Sequence, residues 1–282
     1  MISGLEGAIL GAIQGLTEFL PISSSGHLVL AQQLFGMKDS PLAYDVLLHL
    51  ATLLATILIL RKQVLELVSA TFRLPKFFRN LVRDRTAAVQ QDPQAWVVLL
   101  ILVSTIVTGA IGVGFHDYFE KQFSILDDLW WQFAFTGIVL FLSRRRGDPS
   151  SPQNIKTETR ATLLDAVWIG LAQGVAIVPA ISRSGTTIAC ALLLGFDRRF
   201  AGEYSFLVSL PAIAGAVLLE SRKVDSLGVP VAGAVAGFIL SFVLGAVTLK
   251  LLLGWIRGGK LIGFAYYCWA MAIFSLALVW SR

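Results

Sequence analysis

The sequence predicts an all-α integral membrane protein in which six transmembrane helices and two re-entrant helix pairs form an inverted-topology repeat. Three observations carry that expectation. Of the 282 residues, 56% are hydrophobic and only 15% are charged, whereas soluble domains carry roughly 25% charged residues. The mean hydropathy of +0.73 is concentrated in apolar runs, several of the about 17 to 25 residues needed to cross a bilayer. Two of those runs are interrupted midway by polar, proline-containing sequence and resemble each other at a fixed offset.

Composition also narrows the function classes. The net charge of +5 and pI near 9.4 do not point to nucleic acid. The basic residues lie between apolar runs, as in cytoplasmic loops, and form no stripe on a polar helix face. Two cysteines, Cys190 and Cys268, far apart within apolar segments, are too few for a disulfide framework or a zinc site. Residues 1–18 hold Glu6 and no Lys or Arg, so they lack the basic leader of a secretory signal. A multi-pass protein of the bacterial inner (plasma) membrane is the expected setting.

Along the chain, the six spanning segments are 43–60, 95–115, 128–143, 203–219, 229–250 and 261–280. The stretches 2–35 and 161–195 are broken by Pro21–His27 and Pro179–Gly185. Irregular backbone at membrane depth survives only where protein buries it or a wet cavity receives it. Both stretches are therefore read as re-entrant pairs whose tips meet inside the bundle; a Ser-rich extramembrane turn between ordinary helices is the alternative. Loop charge sets the orientation. The basic loops 61–94 (Arg61, Lys62, Arg73, Lys76, Arg79, Arg83, Arg85) and 144–160 (Arg144, Arg145, Arg146, Lys156, Arg160) belong in the cytoplasm. The segment 116–127, with Asp117, Glu120 and Asp127 against Lys121, belongs outside, as do both termini. Arg257 and Lys260 then fall inside as the rule asks, while Arg222 and Lys223 fall outside as an exception.

Setting residue i against i+159 pairs Gly11 with Gly170, Gln14 with Gln173, Gly15 with Gly174, Ile22 with Ile181, Ser23 with Ser182, Ser25 with Ser184, Gly26 with Gly185 and Gly36 with Gly195. One membrane domain, 1–282, thus divides into halves of about 1–145 and 160–282. Each half holds an interrupted pair and three spans, an odd number, so the halves enter from opposite sides. Such folds place a polar site at the repeat interface near the midplane, with helix amino termini aimed at anions.

Few residues could carry chemistry there. Glu18 is a carboxylate within an apolar run, functional by default in a membrane unless it marks an interfacial helix end. Gln14, four residues earlier, shares its helical face, and the two are candidate ligands of a hard divalent cation whose shell substrate phosphate oxygens would complete. Ser23, Ser24, Ser25, Gly26 and His27 form a tip suited to an oxyanion, with Ser24 and His27 as candidate nucleophile and general acid/base; a Ser-rich helix cap with an interfacial histidine is the plainer reading. At the second tip Ser182, Arg183, Ser184, Gly185 and Thr187 combine a planar guanidinium fork for phosphate with hydroxyls, against the alternative of a snorkelling arginine. Asp45 and His49 face either the cavity or each other as a buried pair. His116 is expected solvated, Glu203 and Glu220 interfacial, and the seven Trp in interfacial belts.

The stretch Gln14-Gly-Leu-Thr-Glu18-Phe-Leu-Pro-Ile-Ser-Ser-Ser-Gly-His27, with Pro179-Ala-Ile-Ser-Arg-Ser-Gly-Thr-Thr187, resembles the two signatures of the undecaprenyl pyrophosphate phosphatase (bacitracin-resistance) family. Those are (Glu/Gln)-x-x-x-Glu followed by a Ser-x-Gly-His tip, and Pro-Gly-x-Ser-Arg-Ser-x-x-Thr. The resemblance implies a membrane enzyme that hydrolyses undecaprenyl (C55 isoprenyl) pyrophosphate to the monophosphate carrier recycled for peptidoglycan and other envelope polymers. It also implies a divalent cation, Mg2+ or Ca2+, with Glu18 as essential carboxylate, Ser24 and His27 as catalytic tip, Arg183 as pyrophosphate-binding arginine, and Ser182, Ser184 and Thr187 around it. Ala180 departs from the family's glycine, which restricts positive φ at the second tip. The site is expected to open to the outer, periplasmic side. The nucleophile is left as Ser24 or an activated water, and a homodimer is neither required nor excluded. The rival readings are a transporter or flippase of phosphorylated isoprenyl lipid, built on the same architecture, and a purely structural membrane protein, which leaves Glu18 and Arg183 unexplained.

Overall fold

A computed structural model describes residues 2–36, 42–123, 126–144, 155–220 and 228–281. Arg145, Arg146, Arg222 and Lys223, and the side chains of Glu120 and Lys121, lie outside the described residues. Among those described the chain is helical: α1 Gly4–Thr17, α2 Ser24–Leu34, α3 Leu42–Ile59, α4 Arg61–Arg83, α5 Arg85–Gln91, α6 Pro93–Gly114, α7 His116–Phe123, α8 Leu129–Ser143, α9 Leu163–Val175, α10 Arg183–Leu193, α11 Arg198–Glu220, α12 Val231–Arg257 and α13 Ile262–Trp280. Four of these, α6, α11, α12 and α13, are long and apolar enough to cross a membrane, and the bent pair α3–α4 adds a fifth if it counts as one span. This is a multi-pass all-α membrane protein. At 15 residues, α8 is only about 22 Å long.

The basic stretch 61–94 is not a loop. α4 leaves α3 at 87° and turns Ala70 and Phe77 into the protein, while Leu65, Val68, Phe72 and Val82 stay exposed and Lys62, Arg73 and Lys76 occupy the remaining face. That three-way division suits a helix lying at a membrane surface. The pattern escapes a hydropathy reading because its charges interrupt every apolar run.

The two broken stretches are built alike. Ser3 and Glu6 close a capping box at the start of α1, and Thr162 and Asp165, each 159 residues further on, close one at the start of α9. Each satisfies two otherwise unpaired N–H groups. Gly36 and Gly195 both take positive φ, 61° and 91°, closing α2 and α10 with the left-handed residue that favours glycine. α1 packs along α12 and α9 along α6. A Cβ on Gly11 would overlap the Gly237 backbone, and one on Gly170 would come within 2.7 Å of Ser104 O. These glycines let the helix backbones touch, as small residues do between membrane helices.

Those contacts fix depth and direction. α1 starts with Gly4 beside Gly233, at the beginning of α12, and reaches Ser241 at Gly15, near the middle of that 27-residue helix. α9 begins at the opposite end: Trp96 Nε1 donates to Ala161 O at 2.9 Å and Lys156 pairs with Asp165 at 2.7 Å. Lys156 also bridges to Phe196 just before α11, and Arg257 at the end of α12 reaches Glu203 of α11 at 3.3 Å. Glu203 lies at this end of the bundle, buried within the protein. Its side chain is 7% exposed and held by both Arg199 and Arg257, because a buried carboxylate needs paired charge. α11 is the most enclosed span, with 50% of its apolar window buried, and α13 the least, at 22%.

Two outcomes follow from this packing. Gly11→Leu drives a side chain into α12, so detergent-solubilised protein should melt well below wild type or fail to accumulate, while Gly109→Leu, where a Cβ meets open space, should leave the melting temperature nearly unchanged. The second concerns Asp92, which caps α6 and accepts two hydrogen bonds from Arg73 at 2.7 and 3.0 Å. Those bonds hold its carboxyl below the ordinary carboxylate range, so the stabilisation is present above that range and fades as pH falls through the folded value. The melting gap between wild type and Asp92→Asn should be steady above about pH 5 and close below about pH 4; a gap that widens on acidification contradicts this.

Candidate active site

Both tips are turns that stop one helix and start another. After α1 the chain turns through Pro21, and Ser23 caps α2, its Oγ accepting from Gly26 N at 3.3 Å. Ser23 is the one non-glycine residue of positive φ among those described, at 67°, a strained conformation of the kind that persists where surrounding contacts over-determine it. Ser182 caps α10 in the same way, accepting from Gly185 N at 3.1 Å, with ordinary extended φ. Ala180 also avoids positive φ and is fully buried, so the departure from glycine costs the second tip no backbone strain.

The tips are bonded to one another. Ser23 Oγ donates to Pro179 O at 2.7 Å and Ser184 Oγ donates to Leu20 O at 3.2 Å. α8 steadies the second tip: Gln132 Oε1 accepts from Ala180 N at 2.9 Å and Thr136 Oγ1 from Ser182 N at 3.1 Å. α13 steadies the first, with Cys268 Sγ donating to Pro21 O at 3.4 Å. Ser24 and Arg183 are the first residues of α2 and α10 and both reach Glu18, so two helix amino termini converge on one point, a setting that favours an anion.

Glu18 stands at the centre. Its side chain is 6% exposed and lies 3.5 Å from Arg183 Nη2. Ser24 Oγ donates to its Oε2 at 2.5 Å and Gln14 Nε2 at 3.0 Å. The narrow cleft beside it is lined by Arg183, Ser184 and Thr187, by Ser205 and Ser209 of α11, and by Phe19, Phe206 and Ile213. Ser205 and Ser209 were missed in the sequence, although two serines four apart in an apolar helix are a readable signal.

The structure brings Gln14, Glu18, Ser24, Arg183, Ser184 and Thr187 together, with Gly26 and Gly185 as turn residues and Ser182 as cap. Ser25 is only half-buried. The His27 ring takes another direction. Its Nδ1 lies 2.6 Å from Ser23 O and its Nε2 2.7 Å from Tyr267 OH, and it stacks on Tyr267. It borders a separate apolar groove with Ile13, Leu16, Leu30, Leu34, Met271 and Phe274. His49 instead faces the carboxylate, with Nε2 4.0 Å from Glu18 Oε2. His116 is exposed beside Asp117, as expected.

No group of three or more His, Cys, Asp or Glu gathers among the described residues. The donor set nonetheless suits a hard cation: one carboxylate, and a buried Gln14 Oε1 that has no hydrogen-bond partner, leaving most of the shell to water and phosphate oxygens. Because Gln132 satisfies a buried N–H at the second tip, Gln132→Leu should destabilise the fold by about 1–3 kcal/mol and lower activity by misplacing Arg183. Asn at 132 should recover neither property, being a methylene too short; melting curves and turnover measured together test this.

The comparisons agree with one another. Residues 7–274 match the family model of bacitracin resistance protein BacA. The undecaprenyl-diphosphatase of Carboxydothermus hydrogenoformans is 38% identical, with 98% of each chain covered. That of Desulfatibacillum aliphaticivorans is 42% identical over 94% of this chain and 95% of its own. That of Treponema denticola is 39% identical over 94% of both. The signatures at Gln14–His27 and Pro179–Thr187, joined here in one cleft and carried on a chain that aligns almost end to end with these proteins, place it in the bacitracin resistance protein BacA family.

Proposed function

We propose that this chain hydrolyses undecaprenyl pyrophosphate to undecaprenyl phosphate and inorganic phosphate, returning the lipid carrier to peptidoglycan and envelope synthesis. The observation that supports it most is the meeting of one carboxylate, one hydroxyl and one guanidinium, Glu18, Ser24 and Arg183, at two helix amino termini. Arg183 and the N-terminal N–H groups of α2 and α10 hold the terminal phosphate. Glu18 accepts the proton of Ser24 as Oγ attacks the terminal phosphorus, the bridging P–O bond breaks, and lipid monophosphate leaves. Water then releases phosphate from the phosphoserine. The short Ser24–Glu18 bond favours this route over direct attack by water, and it favours Glu18 over His27 as the base for Ser24. Positioning and charge neutralisation supply most of the rate in such a reaction. Gln14 and Glu18 would hold a divalent cation, Mg2+ or Ca2+ in the plainest form, which when bound neutralises pyrophosphate charge.

The isoprenyl chain follows the apolar groove between α1, α2 and α13, which begins at His27 beside the first tip. We read α3, α6, α8, α11, α12 and α13 as six spans and the two halves as an inverted repeat. Entry of α1 and α9 from opposite ends, with matched capping boxes, supports this. Lys156, Arg199, Arg257 and Arg73 share the end where α6 begins, which favours placing that end in the cytoplasm of a bacterial cell and opening the site to the periplasm. A homodimer is compatible with this reading, and no nucleic acid is involved.

Purified protein should release phosphate from C55 isoprenyl pyrophosphate, and chelator should abolish release. Arg183→Ala should lose about 10²- to 10³-fold in kcat, Glu18→Ala and Ser24→Ala at least as much, and acid quench of wild type should trap phosphoserine. An active Ser24→Ala enzyme eliminates the serine route. No release under any cation condition, with all variants alike, supports a lipid transporter.

A further inference from the structure

We propose that His49 Nε2 is a ligand of the divalent cation at Glu18, together with Gln14 Oε1, making a mixed nitrogen and oxygen site that holds later first-row ions such as Co2+ or Zn2+ ahead of Ca2+ and Mg2+. The inference rests on the reading above that a cation is held at Glu18. His49 Nδ1 lies 2.8 Å from Asp45 O. A carbonyl only accepts, so Nδ1 carries the hydrogen and Nε2 of the neutral ring presents a bare lone pair. Metal-binding histidines are fixed by this same back-bond.

That lone pair faces Glu18 Oε2 at 4.0 Å. Oε2 already accepts from Ser24 Oγ and Gln14 Nε2, and its separation from His49 is too long for a hydrogen bond, which needs about 2.7–3.2 Å. The separation is close to the sum of a metal–nitrogen and a metal–oxygen bond, about 2.1 Å each, so the two atoms would be spaced to hold one ion between them. Gln14, with no exposure, leaves Oε1 without a partner while its Nε2 meets the same Glu18 Oε2; a half-turn of its amide would bring Oε1 to that position. Ser24 approaches the same carboxylate from α2 and Arg183 its other oxygen from α10, so α3 supplies the remaining side.

The second half provides an internal contrast. Gln173 has the same buried, unpartnered Oε1, but Ile177 and Val208 stand where the first half has Glu18 and His49, so no cation site forms there. His27 offers another: its Nε2 already has Tyr267 OH as partner. Imidazole shifts preference away from the all-oxygen ions towards later first-row metals.

Mn2+ serves as the spectroscopic probe. Pulsed electron paramagnetic resonance of Mn2+-loaded wild type should show coupling to a directly bonded 14N that changes on 15N-histidine labelling. His49→Gln, which keeps an oxygen donor, should still bind Mn2+ without that coupling. Its Co2+ affinity should fall by at least about tenfold, with Ca2+ affinity within about threefold. Mn2+ bound without nitrogen coupling, or His49→Gln indistinguishable from wild type, overturns the role of His49 and leaves the Glu18 cation standing. No Mn2+ site that Glu18→Gln abolishes overturns both. The coupling in wild type decides the matter even if His49→Gln folds poorly.

Discussion

Everything at the centre of this protein depends on one constraint: two interrupted helices end inside the bundle, where their backbone groups are buried and must find partners. The chain satisfies them with protein. Ser23 and Ser184 each donate to a carbonyl of the opposite tip, Gln132 and Thr136 take the free N–H groups of the second, and Cys268 reaches the first. Unpaired, each such group would cost on the order of 1–3 kcal/mol or more, so the tips hold each other in a single arrangement. That arrangement puts Glu18 3.5 Å from Arg183.

A buried carboxylate beside a guanidinium is weak evidence of stability, since desolvation consumes much of the attraction. Its weight lies in placement: it brings a carboxylate and a guanidinium from opposite tips to one point, the arrangement on which the proposed phosphate site rests. The two halves are alike in scaffold and unlike in chemistry: position 18 is Glu and its mate is Ile177, position 24 is Ser and its mate is Arg183, position 49 is His and its mate is Val208. Carboxylate, hydroxyl and imidazole thus come from the first stretch of chain and the guanidinium from the second, so the proposed site needs both.

Much of this was legible without coordinates. Glu18 and Arg183 stand out because charge within an apolar run is costly and must be justified. The tips stand out because proline, serine and glycine cannot continue a lipid-facing helix. The capping boxes at Ser3–Glu6 and Thr162–Asp165 were legible too, but they share chemistry rather than identity, so a comparison by identical residues passes over them. α4 was not legible, because an interfacial helix carries charge on one face and apolar groups on another, and hydropathy averages the two. The pairing of Glu203 was not legible, because Arg257, one of its partners, is 54 residues away.

What the sequence by itself determined is the membrane setting, the positions of the apolar and broken helices, and the short roll of groups able to handle a phosphate, all of which follow from local composition and spacing. Which of those groups meet was decided only by tertiary packing. His27 sits three residues from Ser24, yet its ring turns to Tyr267. His49, 31 residues from Glu18 and on another helix, faces the carboxylate instead. The physical reason is that where a side chain points is settled by the helices beside it, Tyr267 of α13 for His27 and Glu18 at the end of α1 for His49, and no local pattern encodes those neighbours.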